Sequence, residues 1–343
     1  MSTTVNSEPD RGVQPDVPAG RRRVPVILIG GLLVIGLVIA GAVSWLSGKG
    51  VGPLLPPPEG CTATASGGTV DLDLEQASNA AIIAGVAVRR GLPARAVTIA
   101  LATAYQESKI RNLAHGDRDS LGLFQQRPSM GWGTAAQVRD PVYASNKFYD
   151  ALIKIKGYQR MSVTAAADRV QRSAFPTAYA DHEADARIIA SALTGFSPAG
   201  FSCVVRHGSL AKEPIGANGL TKRANAVRLD LFKTFGRLPT GGYQPGGVKT
   251  GHMEGSAHYD GRAIDVFARP VNAANKRLGW AWAQYLVAHA DRLNIQTVIF
   301  DDRIWTAGNQ SSDGWRPYTP PQRTGDPDTL RHLDHVHVDV AAD

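Results

Sequence analysis

Two stretches far apart in this chain carry side chains that are useful together only if the fold lays them side by side. Ser256-Ala257-His258-Tyr259-Asp260-Gly261-Arg262-Ala263-Ile264-Asp265 sets an imidazole and a carboxylate on either side of a Gly-containing turn, and His332-Leu333-Asp334-His335-Val336-His337 follows near the end of the chain. His258, Asp265 and His337 form a nitrogen and oxygen ligand set suited to Zn2+. Three protein ligands leave one position open, which a catalytic zinc site keeps for water, lowering its pKa toward about 7. Asp334 is then placed to take that water's proton. A plainer reading exists. From Leu333 to Val340 the chain alternates, with His335, His337 and Asp339 on one face and Val336, Val338 and Val340 on the other, as in any half-buried strand. That accounts for one strand but not for its match to a second element upstream.

The pattern S-x-H-x-x-G-x-A-x-D, followed by D-x-x-H, resembles the zinc D-alanyl-D-alanine carboxypeptidase family of the Hedgehog-type peptidase fold. The matching positions are Ser256, His258, Gly261, Ala263 and Asp265, then Asp334 and His337. The resemblance covers about the last third of the chain. It implies that His258, Asp265 and His337 are metal ligands, that Asp334 is a general base, that His335 stands near the transition-state oxyanion, and that Ser256 contacts substrate. Where that family commonly carries Gly-Tyr-Arg, this chain reads Gly241-Gly242-Tyr243-Gln244-Pro245. Tyr243 and Gln244 are thus candidate substrate contacts, but Gln cannot neutralise a carboxylate as Arg does. Either Lys249, Arg237 or Arg262 substitutes, or the substrate is not a free C-terminus, or the activity is lost.

Residues 1–23 are rich in Ser, Pro, Asp and Gly and read as a disordered cytoplasmic tail ending in Arg21-Arg22-Arg23. Val24 to Leu46 carries no charge and is long enough to cross a bilayer, and the arginines put the N-terminus inside. This predicts a single-pass cell-membrane protein with its remaining domains extracytoplasmic. A cleaved signal peptide, with Ala40-Gly41-Ala42 as its processing site, is the alternative. Residues 47–60 form a Pro-rich linker. The two cysteines, Cys61 and Cys203, then lie in an oxidising compartment and are expected to pair. Net charge is +7, but basic and acidic residues are interspersed and no nucleic-acid motif occurs, so nucleic acid is excluded as a partner. Modest positive charge suits an anionic wall polymer.

Leu74 to Arg90 reads as a helix ended by Gly91, and Pro93 opens another in which Val97, Ala100 and Ala104 make an apolar stripe. Glu107 is the next member of that stripe. A carboxyl there is partly desolvated, which suits a general acid, unless it simply pairs with Arg111. Glu107-Ser108 followed by Gly122-Leu123-Phe124-Gln125-Gln126 resembles the lysozyme-like lytic transglycosylase domain. The resemblance implies Glu107 as sole catalytic acid/base and Gln125 in a saccharide cleft. That family's Ala-Tyr-Asn segment has Thr177-Ala178-Tyr179-Ala180 as its nearest counterpart, without the Asn. Tyr149, with Trp132, Phe148 and Tyr179, is a candidate for stacking on sugar rings.

Downstream, Thr221 caps a helix with Ala226, Leu229 and Phe232 on its inner side, Asn275 to Leu293 reads as a long amphipathic helix, and Ile295–Phe300 with Arg303–Thr306 as a hairpin. The chain is therefore expected to be multidomain: a single N-terminal transmembrane helix, a mainly-α lysozyme-like domain over 61–205, a linker over 206–220, and an α+β Hedgehog/DD-peptidase-like zinc domain over 221–343. Both resemblances point to peptidoglycan as partner. The expected function is a membrane-anchored, extracytoplasmic protein that hydrolyses stem-peptide bonds and cleaves glycan strands. A wall-binding scaffold with degenerate sites is the alternative.

Overall fold

The structure, a computed structural model, describes residues 56–172, 178–321 and 324–342. Its elements, in order, are β1 (Gly60–Ala65), β2 (Gly68–Leu72), α1 (Leu74–Arg89), α2 (Ala94–Ser108), α3 (Pro141–Leu152), α4 (Val163–Gln171), α5 (Glu183–Leu193), β3 (Phe201–Val204), α6 (Lys222–Phe235), β4 (Thr240–Gly241), β5 (Ala263–Phe267), α7 (Ala273–Ala288), β6 (Ile295–Phe300), β7 (Arg303–Thr306), β8 (Arg316–Pro317) and β9 (His335–Val340), with short helical turns between them. One sheet has the order β2-β1-β3, the other β4-β5-β9-β6-β7-β8, and every pairing is antiparallel.

Local signals explain most of these boundaries. Asp73 and Gln76 form a reciprocal capping box at the start of α1, and Pro93 precedes α2. Thr221 Oγ1 accepts the Ala224 N–H at 3.3 Å and starts α6. The β6–β7 hairpin turns through Asp301 and Asp302, both at positive φ. Cys61 and Cys203 face each other across β1 and β3 and form a disulfide.

The expected architecture needs correction. Pro57–Asp343 is one compact unit of mixed α/β structure. The reason is α7. It is buried on all sides from Gly279 to Ala288, not amphipathic as expected, because it packs on α1 and α5 while also covering β3, β6 and β9. Trp280 and Trp305 are fully buried. At about 25 cal/mol per Å², burying one indole contributes on the order of 4 kcal/mol. Polar ties cross the same junction: Gln284 Nε2 donates to the Ala192 carbonyl at 2.6 Å, Trp305 Nε1 to Cys203 at 3.0 Å and Trp315 Nε1 to Phe201 at 2.8 Å. The expected transmembrane helix over 24–46 lies outside the described residues, and among the described residues no helix is long and apolar enough to cross a membrane.

On α6 the inner face is Ala224, Val227, Leu231, Thr234 and Phe235, while Leu229 is 52% exposed. Ala226 and Leu229 thus face outward, contrary to expectation, and the polar Thr234 takes a place on the inner face, where its hydroxyl is satisfied by that of Tyr285.

Candidate metal centre

Strand pairing assembles the site. In the β5–β9 ladder Asp265 stands directly opposite His337, and His337 in turn faces Ile299 of β6. Both side chains therefore project from one face of adjacent central strands. His258 enters from the turn just before β5. His258 Nε2 lies 3.1 Å from His337 Nδ1 and 3.3 Å from Asp265 Oδ1, and His337 Nδ1 lies 3.2 Å from Asp265 Oδ1. A tetrahedral ion with bonds of about 2.0–2.1 Å sets its ligand atoms about 3.3–3.4 Å apart. The near-equilateral triangle thus has the size of one face of such a polyhedron, and all three residues are buried.

Neighbouring groups hold these atoms in the ligating orientation. His258 Nδ1 lies 2.7 Å from the Gly242 carbonyl and His337 Nε2 3.3 Å from Asp339 Oδ2, so each ring can keep a proton on its outer nitrogen when the inward nitrogen gives up its own to a cation. Gly242 has φ +77°, and a Cβ there would lie 2.3 Å from His258 Cε1 and 2.8 Å from Asp265 Oδ2, so no side chain fits. Burial works to raise the Asp265 carboxyl, yet its bonds with His258 and His337 hold it well below the usual range. Burial likewise opposes charge on His337, but Asp265 and Asp339 draw its imidazole up to about 9. Carboxylates that hold a proton this firmly also attract a metal cation, which competes for the same nitrogen. The donor set, its spacing and its charge all fit a divalent ion such as Zn2+.

Asp334 stands one residue before β9. Its Oδ1 accepts from His335 Nδ1 at 2.7 Å, and its Oδ2 accepts from Arg269 Nε at 2.7 Å and pairs with the second guanidinium nitrogen at 2.6 Å. Burial would raise this carboxyl, but His335 and Arg269 keep it below its ordinary range. His335 Nε2 lies 3.7 Å from Asp265 Oδ1, beside the triangle. Asp334, expected from sequence as a base, is therefore bonded to a histidine that is itself beside Asp265.

A cavity of 510 Å³ opens over the triangle, lined among others by His252, Ser256, Arg269, Tyr318, His332 and His335. Ser256 accepts the His258 N–H at 3.4 Å. Tyr243 and Gln244 do not line the cavity: Tyr243 bonds Thr240 and borders a separate hollow with Arg237, and Gln244 is exposed and reaches the Gly247 carbonyl. Of the suggested substitutes for the missing arginine, Arg262 alone lines the cavity, and its guanidinium is taken by Asp260 and the Val340 carbonyl. Sequence reading missed Arg269, which lies outside the motif; it also assigned no role to Gly242, His252 or His332. His332 packs against His335 with ring centroids 4.6 Å apart, and burial together with these imidazoles pushes its pKa down to about 2.

At the other candidate site, Glu107 is half-buried near the end of α2, and the Tyr179 hydroxyl donates to its Oε1 at 2.8 Å. Arg111 is engaged by Asp73 and Glu75 and is not the partner of Glu107 considered above. Ser108 Oγ donates to the Leu123 carbonyl at 2.7 Å, so the two halves of the motif do meet. Gln125 turns onto the carbonyls of His115 and Gly122. Tyr149 requires correction: it is wholly buried, its hydroxyl donates to the Ile83 carbonyl at 3.0 Å, and it packs against Phe148 as a core residue. An aromatic on a small helix serves a core or a cleft, and composition does not distinguish the two.

Residues 216–330 match the family model described as VldE, C-terminal domain. The matched segment is about a third of the chain and contains His258 and Asp265 but ends before Asp334, His335 and His337. The comparison with curated proteins returned no match.

Proposed function

We propose that this protein is an extracytoplasmic, zinc-dependent hydrolase of amide bonds in peptidoglycan stem peptides. The observation that carries the reading is the triangle of His258, Asp265 and His337, at ligand spacing, with His335 and Asp334 beside it. A purely structural zinc site needs neither an adjoining cavity nor a titratable pair at its edge, whereas this one opens onto a cavity and has the bonded Asp334 and His335 beside it. The disulfide supports an oxidising compartment.

His258, Asp265 and His337 would hold the ion. Zinc, when bound, supplies Lewis acidity toward a carbonyl oxygen and toward water. The chain's own contribution is proton transfer and orientation. Asp334 accepts the Nδ1–H of His335 and so fixes the tautomer whose Nε2 is a proton acceptor. Nε2 takes a proton from the attacking water as the carbonyl carbon–oxygen bond forms, then delivers it to the leaving nitrogen as the carbon–nitrogen bond breaks. Arg269 holds Asp334 ionised and aligned. Asp334 is on this reading an orienting residue, and His335 the base.

Both arginines lining the cavity, Arg262 and Arg269, are already paired with carboxylates. This favours an internal amide, such as a cross-link, over a substrate ending in a free carboxylate. The test is incubation of zinc-loaded ectodomain with cross-linked peptidoglycan and, separately, with a stem peptide ending in D-Ala-D-Ala, the products being identified by mass spectrometry. Cleavage of the cross-link, with little release of terminal D-Ala, is expected. Stoichiometric zinc with no product from either would leave a wall-binding module instead.

A second activity, lytic cleavage of glycan strands with Glu107 as the acid, is favoured by the Tyr179 bond to its carboxyl and by the Ser108–Leu123 link within the motif.

A further inference from the structure

We infer that His252 is a fourth, removable ligand of the metal, closing the site in the resting protein. The inference rests on the metal reading above and concerns a residue outside the three-ligand pattern. His252 stacks on His258 with ring centroids 3.9 Å apart and planes inclined by 19°. A ring nitrogen of His252 lies within 4.8 Å of the ligand atoms of both His258 and Asp265. The triangle itself is tighter, with no edge above 3.3 Å. His252 thus stands beside two of the three donors, more loosely than they stand to one another, and would complete the polyhedron by a movement of its loop toward the triangle.

The loop is built for such a shift. Gly251 and Gly255 flank the segment, both at positive φ and with open space where a side chain would stand. One tether is specific: the Tyr259 hydroxyl accepts the His252 N–H at 3.1 Å and donates to the His252 carbonyl, tying the segment to the residue next to His258. The same segment, from Gly251 to Gly255, lines the cavity over the triangle, so moving His252 off the ion opens a coordination position on the substrate side. A displaceable ligand keeps a secreted hydrolase inactive until substrate or another anionic donor competes for that position.

The test uses the full ectodomain with Zn2+ and Co2+ as probes, and compares the parent with His252→Ala and His252→Phe. Phe keeps a ring to stack on His258 but offers no ligand. We expect both variants to unfold like the parent without metal, to bind Zn2+ at least about tenfold more weakly by chelator competition, and to give an altered Co2+ visible spectrum. Azide, which needs an open position, should perturb the Co2+ spectrum of His252→Phe at lower concentration than that of the parent. Unchanged affinity and spectra in both variants would overturn the inference while leaving the three-ligand site intact. Weaker binding in His252→Ala alone would reduce His252 to a stacking role and also overturn it. A parent that binds neither ion would defeat the metal reading itself.

Discussion

Asp334 and His335 are sequence neighbours whose side chains bond each other, Oδ1 to Nδ1 at 2.7 Å. Inside a strand, adjacent side chains point to opposite faces. The contact forms because β9 begins at His335 and Asp334 stands just outside it, where Arg269 takes its other oxygen. If this pair is the proton relay, Asp334→Asn removes the charge that stabilises a protonated imidazole and should lower kcat by about 10²–10⁴-fold, with zinc stoichiometry unchanged. His335→Ala should do at least as much. Single-turnover kinetics beside metal analysis checks both, and near-parental rates in His335→Ala would remove the base from the mechanism.

Gly242 is the position where a single methyl group should damage the site without replacing any of its three donor residues. The added Cβ must displace the ring of His258 or the carboxylate of Asp265, and the backbone is already in the left-handed region. We expect Gly242→Ala to weaken Zn2+ binding by about 10–100-fold, the range seen when groups supporting metal ligands are disturbed. Chelator competition on folded protein reads this directly, and parental affinity would mean that the close approach is relaxed in solution.

The meeting of His258, Asp265 and His337 was legible in the sequence because strand alternation and the motif both fix which side chains share a face, and Asp265 and His337 do pair in register. Arg269 was not legible. It reaches Asp334 through a fold contact between residues 65 apart in sequence, and no spacing rule anticipates that. Tyr149 failed for a related reason, since an aromatic ring packed wholly into the core looks, in sequence, like a ring free to stack on a sugar. The multidomain expectation failed at α7, whose polar residues suggested a solvent face. Gln284 instead spends its amide on the Ala192 carbonyl across the junction.

Glu107 offers a separable prediction. Glu107→Gln keeps the shape and can still accept from the Tyr179 hydroxyl, but it cannot donate a proton as a carboxylic acid does. Release of soluble glycan fragments should fall to background while stem-peptide cleavage persists. Equal glycan release by parent and variant would reject the second activity and leave the metal site untouched.

The disulfide should matter to the fold as a whole, because Cys61 and Cys203 are 142 positions apart and bridge the first strand of the described unit to the edge that meets α7. In the chain-entropy treatment a closure of this length is worth about 5 kcal/mol, and removing a native bridge commonly costs about 2–5 kcal/mol. Cys61→Ser/Cys203→Ser should lower the denaturant midpoint accordingly. A midpoint equal to the parent's would assign the stability to the Trp305 and Gln284 ties alone.

His289 should set the acid limb of stability. It is fully buried; its Nδ1–H donates to the Tyr285 carbonyl at 2.7 Å, and its Nε2 has no protein partner among the described residues. Burial pushes its pKa down to about 4; Asp230 pulls upward and Arg292 pushes further down, while the tilted ring of Tyr285 lies 4.0 Å away. A folded value below the unfolded value of about 6.5 means that the unfolded chain takes the proton first. The contribution is therefore intact above about pH 6.5 and is lost as pH falls toward 4, by roughly 3 kcal/mol at most. His289→Leu removes the titrating group and leaves the Tyr285 carbonyl its backbone bond from residue 289. Between pH 7 and pH 4.5, urea unfolding should show the parent losing about 2–3 kcal/mol more than the variant. Parallel stability curves would mean that the packing around His289 admits water before the imidazole is charged.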